Sequence, residues 1–232
     1  MFACVYAFVH KGEMASVRKA VKELQGKENK VDVLVCNGGV LLNEKQTTNE
    51  GNEVTFASHL MAGSYLLSQL LIPQFHAAED PRIVFVSSGG MYNTPFPDWP
   101  TATSLKGATH EYDGNLAYAY AKRGQVLLAE QYAKIYPKIK TVSCHPGWAQ
   151  TPAVDLAYGE NKKYLEPMRT IWQGAEGIAW LMGAKASDLV SGAFYLDRSP
   201  QRKHLGPVTS YTKNTEEDVE DMMTNLKKCV DC

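Results

Sequence analysis

Tyr118 and Lys122 stand four residues apart in the segment NLAYAYAKRGQVLLAEQYAKIY. On a helix that spacing puts both side chains on one face, so the ammonium reaches the vicinity of the phenol. A phenol of pKa about 10 does not exchange protons with an alcohol at neutral pH unless nearby positive charge stabilises the phenolate. Lys122 supplies such a charge. Ser88, arriving at the end of an apolar run, adds a hydroxyl able to hold a carbonyl or alcohol oxygen beside the phenol. The three make a proton relay for carbonyl–alcohol interconversion. Tyrosine and lysine at this spacing also arise by chance in many helices, and Tyr120 marks the segment as aromatic-rich. The weight comes from order: Asn37-Gly38-Gly39, Ser87-Ser88-Gly89-Gly90, Tyr118-x-x-x-Lys122 and Pro146-Gly147 with Thr151 follow successive apolar runs. Strand carboxyl ends are where open α/β sheets form their ligand crevice.

The elements that position these residues are short β-branched apolar runs alternating with longer helical patterns. This is the signature of βαβ units around a parallel sheet covered on both faces, so the fold class is α/β. Strands are predicted at residues 2–9, 31–36, 82–86, 141–144 and 192–196, and helices at 15–24, 52–75, 115–136 and 173–182. Residues 89–114 crowd Tyr92, Pro95, Phe96, Pro97, Trp99 and Pro100 without either period, which predicts a long loop forming a packed flap. The tail 199–232 reads as polar and irregular, with a short terminal helix open at 216–228.

With 232 residues, the chain is expected to form a single domain over 1–232. Lys and Arg total 24 against 25 Asp and Glu, a formal charge of −1, so no global field draws it to nucleic acid or anionic lipid, and a small neutral molecule is the natural partner. The five cysteines (Cys4, Cys36, Cys144, Cys229, Cys232) are odd in number and scattered, which argues for a reducing compartment, the cytoplasm by default. Metal or redox chemistry at Cys229-x-x-Cys232 lacks a second pair or a nearby histidine, so no metal site is expected. The apolar start MFACVYAFV is half the length of a membrane span, and no other window approaches one.

The runs VDVLVCNGGV, RIVFVSSGGM, AYAYAKRGQVLLAEQYA and HPGWAQTP resemble, in order, the consecutive blocks of the short-chain dehydrogenase/reductase superfamily, from about residue 5 to about residue 198. The forms SSGGM, YxxxKR and HPGWAxTP resemble the branch containing the dehydrogenase/reductase member 12 group and the retinol-dehydrogenase-like enzymes. The resemblance implies a Rossmann-like doubly wound sheet and hydride transfer between NADP or NAD and a small, apolar alcohol or carbonyl. It implies that Ser88 orients the substrate oxygen, that Tyr118 is the general acid/base, and that Lys122 lowers the phenol's pKa and contacts the nicotinamide ribose. Asn37, Gly38 and Gly39 would border the cofactor, Gly38 standing where the family usually has alanine. Pro146, Gly147 and Thr151 would border the nicotinamide and its carboxamide. Residues 92–100 and 153–167 would line or cover the substrate pocket. The helices at 52–75 and 115–136 resemble those that pair across family dimers, so a homodimer stays open.

Two features depart from the family pattern. Where the family places an asparagine before the serine strand, this chain reads FASHLMAGSYLL, and Ser58 or His59 occupies that place. No Gly-x-x-x-Gly-x-Gly occurs in the sequence, although the family's glycine loop delivers the pyrophosphate to a helix amino terminus. By position, residues 2–9 correspond to the family's third strand, followed by Gly12 or Glu13 near the adenine. The first βαβ segment is therefore expected to be missing, through an incorrect start or a splice form, leaving the strand at 31–36 in need of a neighbour. Two functions follow: an oxidoreductase whose sequence here is incomplete, or an inactive short form acting as a binding or regulatory subunit.

Overall fold

A computed structural model describes residues 12–205 and 212–231; the strand expected at 2–9 lies outside them. The described sheet has five strands in the order β1 (Val33–Cys36), β2 (Arg82–Val86), β3 (Lys140–Cys144), β4 (Phe194–Leu196) and β5 (Ser199–Gln201). The first four run parallel, with Val33 opposite Arg82, Arg82 opposite Lys140 and Ser143 opposite Phe194. β5 turns back antiparallel on β4, so the tail beyond residue 198 begins as a hairpin and not as the irregular segment expected.

Period-two alternation along β2 divides the core. Ile83 and Phe85 face one side and join Val17, Phe56, Leu60, Leu71, Phe75, Leu128 and Tyr132. Val84 and Val86 face the other and join Val142, Cys144, Leu181 and Tyr195. The first face is covered by the helix Met14–Gln25, a continuous helical run over 54–76 and the long helix Gly114–Ile135. The second is covered by the helix Ile171–Gly183. Both faces are thus roofed by helices, as a buried parallel sheet requires. Among the described residues β1 is the terminal strand, its Val33, Leu34 and Val35 only half-buried.

Local sequence explains the helix ends. Asp113 accepts hydrogen bonds from the N–H groups of Asn115 and Leu116 and starts the long helix, which runs to Ile135, just before Tyr136-Pro137. Thr170 and Gln173 form a capping box that starts the next helix at Ile171, two residues earlier than periodicity alone suggests. Within 54–76, Ala57–Leu66 is wound with π-type turns and is buried at every position; apolar side chains on all sides of a helix require a partner on all sides.

Part of that partner is the terminal helix Glu216–Val230. Its Val219, Met222, Leu226 and Val230 enter the first core layer, and it contacts both Ala57–Leu66 and Gly114–Ile135. The loop 89–114 contains a 3-10 turn at Gly89–Tyr92 and a short helix at Trp99–Ala102. It is packed as expected, with Phe96 buried and Trp99 edge-on to Phe56 at 5.3 Å. No helix among the described residues is long and apolar enough to cross a membrane.

Candidate active site

The structure brings Ser88, Tyr118 and Lys122 together at the carboxyl end of the sheet. β2 ends at Val86, and the backbone is then tied down from both sides. Ser87 N–H donates to the Cys144 carbonyl at 2.7 Å, and Ser87 Oγ donates to the Lys122 carbonyl at 2.8 Å. Ser88 follows in extended backbone, half-buried, and accepts from the Gly90 N–H at 3.2 Å. Its hydroxyl acts on the Tyr118 phenol, lowering its pKa against the effect of burial.

Lys122 is buried, 3% exposed. Its ammonium donates to the Val86 carbonyl at 2.7 Å and lies 5.3 Å from the centre of the Tyr118 ring. Helical spacing places the cation over the ring face, and the strand end then fixes it there. The electrostatic outcome differs from the sequence expectation. The Tyr118 phenol is raised above the ordinary value: burial is the largest cause, the Ser88 hydroxyl lowers it, and Tyr158 raises it again. The expected acidification of Tyr118 by Lys122 does not prevail, because the phenol is desolvated and the ammonium sits over the ring, hydrogen-bonded to a strand carbonyl.

The segments after β1 and β3 flank this pair, following the strands on either side of β2. Asn37, Gly38 and Gly39 follow β1 as an exposed turn. A Cβ at Gly39 would lie 1.8 Å from Cε1 of His59, so the backbone approaches the ring as only glycine permits. His59 stands edge-on to Tyr118, ring centres 5.2 Å apart at 87°, and its Nε2 bonds the Val40 carbonyl at 2.8 Å. Of the two residues open from sequence, His59 thus faces the site, whereas a Cβ on Gly12 would lie 3.2 Å from Ser58 Oγ.

After β3, Gly147 takes φ +73, a conformation that favours glycine, with the Arg169 side chain packed against the space a Cβ would need. Its N–H donates to His145 Nδ1 at 3.1 Å, and the His145 ring stacks on Phe194 at 5.3 Å. Burial, reinforced by Arg169 and opposed by Asp197, lowers His145 to about 4. Pro146 is held by its own carbonyl, which accepts from Arg169 Nη1 at 3.4 Å, while Arg169 Nη2 pairs with Asp197 at 2.6 Å. Thr151 caps the helix Pro152–Tyr158, accepting from the Val154 N–H at 3.4 Å. Tyr158 in turn packs edge-on to Trp148 at 5.5 Å. Sequence reasoning did not single out Tyr158, His145, Arg169 or Asp197, which come from separate segments with no shared spacing; the signal nearest to hand was the odd histidine in HPGW.

A nicotinamide cofactor fits this arrangement in part. The open turns at 37–39 and 146–151 and the buried Tyr118–Lys122 pair stand at neighbouring strand ends. No equivalent phosphate cradle appears among the described residues. The amino terminus of Met14–Gln25 already receives an anion of the chain's own, since the Glu50 carboxylate accepts from the Met14 and Ala15 N–H groups at 2.8 Å each. The expected flap is tied to the tail: Tyr92 donates to the Arg202 carbonyl at 2.6 Å, and Asn214 exchanges two hydrogen bonds with Phe96. A cavity of about 430 Å³ between the long helix and the terminal helix is lined by Arg123, Glu130, His204 and Asn214 and does not include Tyr118 or Lys122. No cluster of potential metal ligands occurs among the described residues.

The family model described as short chain dehydrogenase matches residues 4–160. The chain is 34% identical over 215 residues to the human protein named dehydrogenase/reductase SDR family member 12, covering 91% of this chain and 66% of that one. It is 28% identical over 172 residues to mouse retinol dehydrogenase 11, covering 72% of this chain and 50% of that one. The chain therefore spans less than two thirds to one half of the length of these relatives. Among solved structures it is similar to a 3-alpha-hydroxysteroid dehydrogenase from Pseudomonas sp. B-0831 complexed with NADH, with a TM-score of 0.59 at 20% identity over 79% of this chain and 78% of that one. A parallel sheet with serine, tyrosine and lysine gathered at its carboxyl end, together with a family match over most of the sequence, places this chain in the short-chain dehydrogenase/reductase family.

Proposed function

We propose that the chain carries the proton-transfer and nicotinamide-side half of an oxidoreductase that interconverts an alcohol and a carbonyl on a small, apolar substrate, with NADP or NAD. The observation that carries this reading is the gathering of the Tyr118 phenol and the Lys122 ammonium, buried and 5.3 Å from the phenol ring, at the strand end that bears Ser88. A bound nicotinamide would supply or accept the hydride. Asn37, Gly38, Gly39, Lys122, Pro146, Gly147 and Thr151 are the residues assigned to hold it. Ser88 and Tyr118 hydrogen-bond the substrate oxygen, and Tyr118 moves the proton. Tyr118, protonated in this environment, would donate its proton to a carbonyl oxygen and take one back from an alcohol in the reverse reaction. Trp148 and Tyr158 offer an aromatic wall for an apolar substrate.

The odd number and scatter of the five cysteines suit a reducing compartment, and we assign the chain to the cytoplasm. Pairing as a homodimer through 52–75 and 115–136 would compete with Glu216–Val230, which already lies on those helices; a dimer would use another surface. Calorimetric titration with NADPH and NADH, then turnover of an apolar aldehyde or ketone, tests the reading. Tyr118→Phe is expected to lower kcat by at least about 100-fold, the usual contribution of a positioned acid. Unchanged turnover would remove Tyr118 from its role. Tight binding of either dinucleotide would defeat the alternative, an inactive short form acting as a binding or regulatory subunit.

A further inference from the structure

We infer that His59 is a positioning residue for Tyr118, coupling the Asn37–Gly38–Gly39 turn to the orientation of the phenol. The inference rests on the reading of Tyr118 as the acid. His59 is held at both ends. A carbonyl only accepts, so the Nε2–H of the imidazole donates to Val40 O at 2.8 Å. At the backbone, the His59 carbonyl accepts from Gln125 Nε2 at 3.0 Å, and Ser64 Oγ donates to the same oxygen. Gln125 lies on the helix that bears Tyr118 and Lys122, so the histidine is registered directly to that helix. The residue is 3% exposed, and its ring closes edge-on against Tyr118. On the remaining side, the backbone of Gly39 leaves no room for a methyl group.

The imidazole is therefore a wedge between the turn after β1 and the phenol ring. It acts through ring contact and needs no proton of its own. Its contribution is to remove rotational freedom from Tyr118 before substrate arrives, which lowers the ordering cost of the reactive geometry. A phenylalanine at this place would preserve the ring contact, whereas leucine would fill the volume without a flat edge.

The test uses the full chain with carbon-13-labelled tyrosine, the Tyr118 ring signals being assigned from Tyr118→Phe. In the unmodified protein these signals are expected to be displaced by the His59 ring current. In His59→Leu they should move toward free-tyrosine positions, and kcat should fall on the order of 10- to 100-fold with KM unchanged. His59→Phe should restore both the displaced signals and most of kcat. A folded His59→Leu variant with Tyr118 signals and kcat unaltered overturns the inference. The two readings fail separately: if Tyr118→Phe leaves kcat intact, the acid assignment is lost, while the tyrosine spectrum still reports whether His59 holds the ring.

Discussion

Replacing Gly39 by alanine places a methyl carbon 1.8 Å from Cε1, 2.2 Å from Nδ1 and 2.5 Å from Nε2 of His59. Non-bonded carbons settle at about 3.5–4.0 Å, so the ring must retreat by roughly 1.5 Å or more. Retreat is opposed by the Tyr118 ring and by the Nε2–Val40 bond. The residue's φ lies outside the left-handed region, so the backbone itself tolerates alanine. Overpacking costs about 1–3 kcal/mol, and parting a buried donor from its acceptor about 1–3 kcal/mol. A loss of about 2–5 kcal/mol is expected, a large share of the stability of an ordinary domain. Urea unfolding measures it, provided the slope is unchanged between variants. Gly51→Ala is the control, because Gly51 sits at φ +83 with nothing within 4 Å and should lose only about 1–2 kcal/mol of backbone strain. The decisive comparison repeats both substitutions in a His59→Ala background. There the methyl at Gly39 should cost less than about 1 kcal/mol, a coupling typical of residues in contact, while the cost at Gly51 should not change. Equal losses at Gly39 in both backgrounds would refute the wedge geometry.

Three further outcomes follow from the same structure. Arg123 is buried, lowered to about 10 by desolvation, and donates to the carbonyls of Thr94 and Lys203. Arg123→Ala should destabilise by about 2–3 kcal/mol and speed tryptic cleavage after Arg202 and Lys203. His145 falls from 6.5 to about 4 in the fold, so between these values the unfolded chain binds a proton that the folded chain excludes. Stability should be full above pH 6.5 and fall by up to about 3 kcal/mol as pH drops to 4; a Tm series in which His145→Asn keeps the same slope would contradict this. Leu226 is fully buried beneath the terminal helix, and Leu226→Ala should cost about 2–5 kcal/mol in equilibrium unfolding.

Much of the fold is legible in the sequence because its causes are local. The apolar run at 82–86, the helical pattern over 115–136 and the four-residue step from Tyr118 to Lys122 each depend on neighbours a few positions away. Those local periods determined the α/β class, the strand positions at β1 to β4 and the face shared by the tyrosine and the lysine. The hairpin at β5 escaped notice because Ser199–Gln201 is three exposed residues whose pairing rests on β4. A short terminal helix was open at 216–228, but nothing local indicated that its Val219, Met222 and Leu226 would enter the core.

Only the tertiary structure showed that His59 meets the Tyr118 ring, since adjacent residues on a helix buried on every side carry no periodic signal. It likewise seated the Glu50 carboxylate on a helix start 36 residues away, and it set the Tyr118 phenol above its ordinary value although a lysine stands beside it. Spacing along the chain determines which groups share a face. How much water each one loses, and which distant carbonyl or carboxylate replaces that water, depends on the packing of segments far apart in sequence, and that is what settles charge and proton affinity.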